Sequence, residues 1–542
     1  MRRRVFLWSV LFTVGLGMLL TAGLATDASS KQGTVTVTVT PVGPSQAQLE
    51  SAIKAVKAHP TVAKYLQGNQ TRQLESELLE LKPYTSQQRF RVTFYDYTNN
   101  RSLLVESGLT DTSETTVTLG TVQPLPSHEE FDAAVEQLKR HPVFGPGLRA
   151  GTTVPYRPMP PIIGESATAE RTLAVGLFTA DPDRPNQIVA VNMIRETVST
   201  FKTGAPITSA ADQTLCGVPG AGQGTTPRGT AGQYNLTIAQ NSQEVWRMLV
   251  IRPSVSSGTR SSAVELRDIY YRGKLIMKRA HVPILNVNYI NNACGPYRDW
   301  QWQEGSFIAN GTDVAPGVRV CTEAPQTMME AGSDTGNYRG VAIYQTPRND
   351  VMLVSELEAG WYRYISRWEF TMDGVIRARF GFDGVNNSCV CNAHNHHAYF
   401  RFDFDLGTPG KNRFTELATR SFASPILTEA KRYRDYVRDR HWLLENIVSG
   451  EQIMIEPGHE DSTADVYARG DAWFLRYRST ELDDGQNSTG SNTEANLDQF
   501  VNGESLNGQD VVMWYAAHFY HVFDNMDGGG HLVGPDIIVK RW

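Results

Sequence analysis

From Val245 to Trp542 nearly every readable segment is a short run of alternating apolar and polar residues, and no other feature restricts the fold as strongly. A period of two sends successive side chains to opposite faces of a strand. Ala263 to Tyr271, Val351 to Leu357, Arg363 to Thr371, Val375 to Phe382, Tyr399 to Leu406 and Ala472 to Tyr477 follow this period, with Gly, Asn and Asp turns between them. Strands with one apolar face bury it by packing sheet on sheet, so residues 233–542 are expected to form a large antiparallel β-sandwich. Thr428 to Glu445 is read as a helical interruption.

The N-terminal part has another rhythm. After a Thr/Val alternation from Thr34 to Thr40, Gln46 to Tyr65 has helical spacing, and Arg89 to Tyr97 and Ser102 to Glu106 read as strands. The pattern recurs: Ser127 precedes a helix through Leu138, followed by strand-like Thr172 to Phe178 and Gln187 to Met193. The expected fold class is therefore two duplicated small α+β domains, 45–122 and 123–200, ahead of the sandwich. Residues 203–232, rich in Gly, Thr, Ala and Pro, read as a linker or long surface loop.

Met1-Arg2-Arg3-Arg4 and the apolar run to about Leu20 have the layout of a secretory signal peptide over 1–25, with an uncleaved anchor as the alternative. The expected location is secreted, periplasmic or extracellular, with no membrane span after cleavage. In such a compartment Cys216, Cys294, Cys321, Cys389 and Cys391 allow two disulfides and one thiol, whose pairing the sequence leaves open. The net charge of −6, with no basic block, argues against a nucleic-acid partner.

The chemistry concentrates in His394-Asn395-His396-His397, which leads into a strand-like stretch. His394 and His396 project from one strand face, placed to meet at one metal ion. Three neutral imidazoles with an open position suit copper or zinc, and His518 or His521 could supply the third. Upstream, Tyr362 and Tyr364 share a face of the strand after Gly360-Trp361.

Here the residues resemble a known family. The block Trp361 to Gly374 is similar to the cofactor strand of the copper amine oxidases, whose pattern is Asn-Tyr-Asp/Glu-Tyr, then Trp, then Asp-Gly. His394 to Asp403 resembles that family's His-x-His, three residues, Phe-Arg-Leu-Asp, and Asp510 to His521 resembles its final ligand segment. The duplicated α+β module matches its two small N-terminal domains.

The resemblance implies oxidative deamination of a small primary amine with O₂ by an enzyme that is a homodimer as the family is. It implies copper on His394, His396 and His521, with His397 and His518 outside the pattern, and Tyr362 as the precursor of topaquinone. It implies a peripheral calcium site from Asp403, Asp405, Asp510 and the carbonyls of Phe404 and Val511; oxygen-only ligation suits a hard cation. Tyr297-Arg298-Asp299 fits the spacing of the catalytic base, and Tyr289 fits the tyrosine that bonds the quinone. If Pro296 to Asp299 is instead the earlier segment, Glu304 is the substitute carboxylate.

Trp361 stands where the family has Asn, and Arg363 where it has an acid. Both are expected to point away from the face of Tyr362, with the guanidinium disfavouring a cationic amine. The alternative to an oxidase is a non-catalytic extracellular copper-binding or adhesion protein that keeps the sandwich without quinone.

Overall fold

The computed structural model describes residues 33–79, 88–120, 123–158, 161–164, 168–179, 187–200, 216–220, 223–258, 260–289, 297–387, 389–419, 422–484, 495–521 and 532–542. The leader, Cys294, Pro296 and much of the 203–232 segment lie outside these. Among the described residues no helix is long and apolar enough to cross a membrane.

Two large sheets, of ten and twelve strands, make up most of the molecule. Five strands matter for function: β1 (Lys274–Tyr289), β2 (Tyr362–Phe370), β3 (Val375–Gly384), β4 (His394–Phe404) and β5 (Val511–His521). In the ten-stranded sheet β4 lies between β1 and β5; in the twelve-stranded sheet β2 pairs with β3. A continuous apolar core joins them, with Phe402 and Phe404 of β4, Met513 of β5, and Trp368 and Phe370 of β2. Phe402 is fully buried there, and truncating such a ring to alanine costs ~3–5 kcal/mol. The other face of β4 is covered as well: Tyr399 joins Trp473 and Trp514 in a second cluster. Burial on both faces makes β4 and β5 rigid platforms for the polar side chains at their ends.

Before the sandwich stand two four-stranded antiparallel sheets, one from Thr71–Leu79 to Thr116–Leu119 and one from Thr153–Tyr156 to Thr197–Thr200. Helices accompany each. Ser45 caps Gln46–Ala58 through a capping box, and Ser127 accepts from the Glu130 N–H to start His128–Arg140. The helical stretch 46–65 is two helices, because Pro60 cannot donate to a continuing ladder and instead opens a second helix, Pro60–Leu66, capped by His59.

One other expectation changes, and two segments find their place. The Thr/Val alternation near the N-terminus forms Val35–Val42, which pairs with Gln233–Gln240 inside the ten-stranded sheet; alternation marks a strand but does not name its partner. Residues 428–445 are not helical: they contain the strands Ala430–Arg432 and His441–Asn446, with Asp439 at φ 47° in the turn between. Trp442 and Leu444 are both fully buried, which is the strand period. The described part of 203–232 is pinned rather than free. Cys216 is disulfide-bonded to Cys391, and Val218 bridges to Val385 just past β3. Cys389 is also disulfide-bonded, and Cys321 keeps a buried thiol.

Candidate active site

The antiparallel register of β4 and β5 sets His394 opposite His521 and His397 opposite His518. Because side chains alternate, His394, His396 and His521 gather on the face turned toward β2, with ring centroids 4.8 Å apart for His394 and His396 and 4.9 Å for His394 and His521. His397 and His518 lie on the opposite face, where their Nδ1 atoms are 2.9 Å apart. His518 Nε2 is 3.0 Å from Asp471.

Hydrogen bonds fix which imidazole nitrogens are available. His394 Nδ1 is 2.5 Å from the Asn392 carbonyl, which only accepts, so Nδ1 carries the proton and Nε2 presents a lone pair. His396 Nδ1 lies 3.2 Å from the Tyr364 hydroxyl, which itself donates to the Asp299 carboxylate. Nδ1 of His396 is therefore the donor, and its buried Nε2 has no hydrogen-bond partner. Burial, with the neighbouring His521, pushes His394 down to about 3, and burial holds His396 well below the usual histidine range. Both rings are neutral, the form that ligates metals, and each is oriented through its other nitrogen.

β2 brings the phenols. The Tyr362 hydroxyl lies 2.7 Å from His394 Nε2, and its ring meets His396 edge-on at 4.8 Å. Phe382 of β3 stacks on His396 with centroids 3.6 Å apart. Burial raises the Tyr362 phenol above its ordinary value.

Asp299 is buried beside this cluster, and burial lifts its carboxyl to about 7 despite the hydrogen bond from Tyr364 and the Arg260 charge. Its direct partner is Tyr364 and not Tyr362. Tyr289, at the end of β1, pairs in register with His394 and packs against its ring at 4.8 Å. Tyr297 packs edge-on against Tyr289 at 6.4 Å and Trp361 at 6.0 Å. Glu304 is elsewhere committed: its carboxylate accepts from Arg252 Nε at 2.9 Å and from the Ser254 N–H in a buried ion pair.

The two departures at 361 and 363 separate. Arg363 points away from Tyr362, as its strand position demands, and pairs with buried Asp334 at 2.8 and 2.9 Å. This neutralisation removes the repulsion of a cationic amine that was expected from its guanidinium. Trp361 does not point away. It precedes the first residue of β2, where strand alternation no longer governs direction, and its Nε1–H donates to the Tyr289 hydroxyl at 2.8 Å.

At the other end of β4, Asp403, Asp405 and Asp510 bring carboxylate oxygens within 4.8 Å of one another. Phe404 and Val511 are register partners alongside. Among the described residues this is the one group of three or more candidate ligands so tightly drawn; the three imidazoles are more open. Arg401 approaches Asp403 at 3.9 Å.

Sequence reasoning passed over the hydrogen bonds of Tyr364 and Trp361, and also Asp383, whose carboxyl burial raises to about 6. The two-residue spacing of Tyr364 from Tyr362 was the available signal for the first. Nothing local marks the others, whose positions depend on strand pairing.

No protein-family model matches the chain, and no curated protein matches it in sequence. Solved structures do match in shape. A copper-containing benzylamine oxidase from Hansenula polymorpha aligns with a TM-score of 0.61 at 12% identity, over 92% of this chain and 96% of that one. A Pichia pastoris lysyl oxidase aligns with a TM-score of 0.57 at 12% identity, over 91% and 88%. An Aspergillus nidulans amine oxidase aligns with a TM-score of 0.57 at 13% identity, over 92% and 88%. Mostly antiparallel sheet, and matching these enzymes over nearly its full length, the chain has the fold of the copper-containing amine oxidases.

Proposed function

We propose that this protein is an exported, copper-dependent primary-amine oxidase in which Tyr362 is the precursor of topaquinone. The observation that carries this reading is the placement of the Tyr362 hydroxyl 2.7 Å from His394 Nε2, beside a second imidazole whose Nε2 is buried without a partner. The donor set fits copper: neutral imidazoles with hydrogen-bonded Nδ1 atoms are the usual ligand form. His394, His396 and His521 would hold the ion.

When bound, copper and quinone supply the electron-accepting chemistry, with the balance R–CH₂–NH₂ + O₂ + H₂O → R–CHO + NH₃ + H₂O₂. The chain supplies the proton handling. Asp299, with a carboxyl near 7, is ionised in a useful fraction at neutral pH and is the base for the α-proton of the amine. Tyr364 holds that carboxylate and the Nδ1 of His396 in one hydrogen-bonded line. Tyr289 faces the redox ring, and Tyr297 with Trp361 closes an aromatic wall that excludes water from it.

The same reading includes a calcium ion at Asp403, Asp405 and Asp510 with the carbonyls of Phe404 and Val511, a homodimer, a cleaved leader over 1–25, and duplicated α+β domains over 45–122 and 123–200. The linker is 203–232 and the catalytic sandwich 233–542. The tightly drawn carboxylates support the calcium assignment.

The experiment is to add copper in air to metal-free protein, then supply benzylamine and assay hydrogen peroxide. Peroxide formation that phenylhydrazine blocks is expected. One observation favours a second reading, a copper-binding or adhesion protein without quinone: Trp361 precedes Tyr362 in place of Asn. Copper uptake without colour or peroxide would select it.

A further inference from the structure

Where the hairpin of Gly311–Ala315 and Val318–Cys321 turns at one edge of the twelve-stranded sheet, it borders a cleft of about 610 Å³. Val314, Ala315 and Pro316 of the turn line one part of it, and Tyr338, Arg339 and Arg252 another. A Cβ on Gly317, which has φ 68°, would run into the Arg252 guanidinium, so only glycine lets the turn lie on that group. None of these residues belongs to the candidate active site.

The charges around the cleft do not cancel. Arg252 donates from Nε and Nη2 to Glu304, and from Nη1 to the Ala231 carbonyl at 3.3 Å. Asp313, which also lines the cleft, is held by Arg319 at 2.6 and 3.1 Å, and the Arg319 guanidinium lies 4.4 Å from the centre of the Tyr338 ring. Arg339 is different. It makes no hydrogen bond or ion pair among the described residues, and its Nε is buried with no partner. A Cβ on Gly224 would stand 3.4 Å from Arg339 Nη2, and with glycine there no side chain at that position covers the guanidinium. Three guanidiniums, Arg252, Arg319 and Arg339, thus meet two carboxylates, Glu304 and Asp313, and one positive charge is left over. A buried N–H without an acceptor has lost its hydrogen bond to water, a cost that a bound acceptor removes.

We propose that the cleft binds the carboxylate of a small organic acid, with Arg339 as the anchoring residue. The guanidinium presents its N–H groups as a planar fork that a carboxylate meets with two oxygens. Val314, 37% exposed, together with Ala315 and Pro316 gives the apolar body of the acid a surface to cover. A single negative charge matches the surplus. A second is set against Asp313 and Glu304, so a phosphate dianion is the poorer ligand. The proposal is independent of the oxidase reading, since neither the histidines nor Tyr362 takes part.

The test is calorimetric titration of the full chain with benzoate at neutral pH and low salt, repeated with inorganic phosphate and with uncharged benzamide. Wild type is expected to take up benzoate with saturation, phosphate severalfold more weakly, and benzamide not at all. Arg339→Gln, with its melting temperature as the check on folding, is expected to bind benzoate about tenfold more weakly, as for the loss of one hydrogen-bonded charge partner. Benzoate held at the amine site instead is told apart because Arg339→Gln leaves it unchanged. Unchanged affinity in that variant therefore overturns the proposal, as does the absence of saturable binding to wild type. Benzamide binding as tightly as benzoate overturns it too, because the charge then plays no part, and preference for phosphate overturns the ligand class. Should Arg339→Gln fail to fold, a wild-type crystal soaked in benzoate decides: a carboxylate on the Arg339 guanidinium sustains the site, and none there refutes it.

Discussion

The Tyr362 hydroxyl lies 2.7 Å from Nε2 of His394, although 32 residues separate them and they belong to different sheets. The sandwich makes this meeting possible. β2 and β4 are held face to face by the shared core of Trp368, Phe400 and Phe402, so the ends of both strands converge on one small space. A phenol whose proton occupies a metal-binding lone pair is placed to enter the chemistry of any ion bound there.

Metal ligation should divide the histidines by face. His396→Ala is expected to reduce copper to background in a metal analysis of the purified protein. His518→Gln, on the other face of β5, should retain full copper and lose stability instead, because it disturbs the buried contacts with His397 and Asp471. Full copper in His396→Ala would refute the ligand assignment.

Asp299 gives a pH dependence with a definite sign. As a base it works ionised, so amine turnover should rise with pH around a midpoint near 7 and then level off. Its folded pKa is raised above the unfolded value, so the native state holds more protons, and stability falls as pH rises through the window from about 4 to 7, at most ~1.4 kcal/mol per pH unit. Asp299→Asn should therefore be inactive yet more heat-stable than wild type above pH 7, measured by calorimetry. A variant that keeps the wild-type midpoint would transfer the role elsewhere.

Glu304 serves as the control carboxylate. Removing its charge leaves Arg252 buried and unpaired, so Glu304→Gln is expected to cost about 3–5 kcal/mol of stability. The protein that remains folded should show an unaltered pH midpoint for turnover. Denaturant unfolding together with a pH profile separates the two effects.

The carboxylate cluster predicts a stabilising cation. Asp403, Asp405 and Asp510 crowd like charges within 4.8 Å, so calcium should raise the melting temperature of wild type by linkage. Chelation should reverse this, and Asp405→Asn should remove the response. Copper content should be unaffected, since the cluster lies at the opposite end of β4 from His394.

Much of the fold was legible because period-two alternation is written locally, and most strands of the sandwich lie where Val351, Val375 and Ala472 announce them. The partner of a strand is not local, so the Thr/Val alternation near the N-terminus carries no sign that it joins the ten-stranded sheet. Residues 428–445 failed for a related reason: a short strand and a turn through Asp439 leave too few residues for either period to show. At the site, His394, His396 and Tyr362 were visible as motifs, and the register of β4 with β5 supplies His521. Trp361 was misjudged because the strand rule was applied one residue before the strand begins, at a turn after Gly360 with φ 59°.

The most direct test is peptide mapping of Tyr362 after copper treatment in air and reaction with phenylhydrazine. The account predicts that the label is carried by the peptide containing Tyr362 in wild type and is missing from His396→Ala. Copper-replete wild-type protein whose Tyr362 remains an unmodified, unlabelled tyrosine would contradict it.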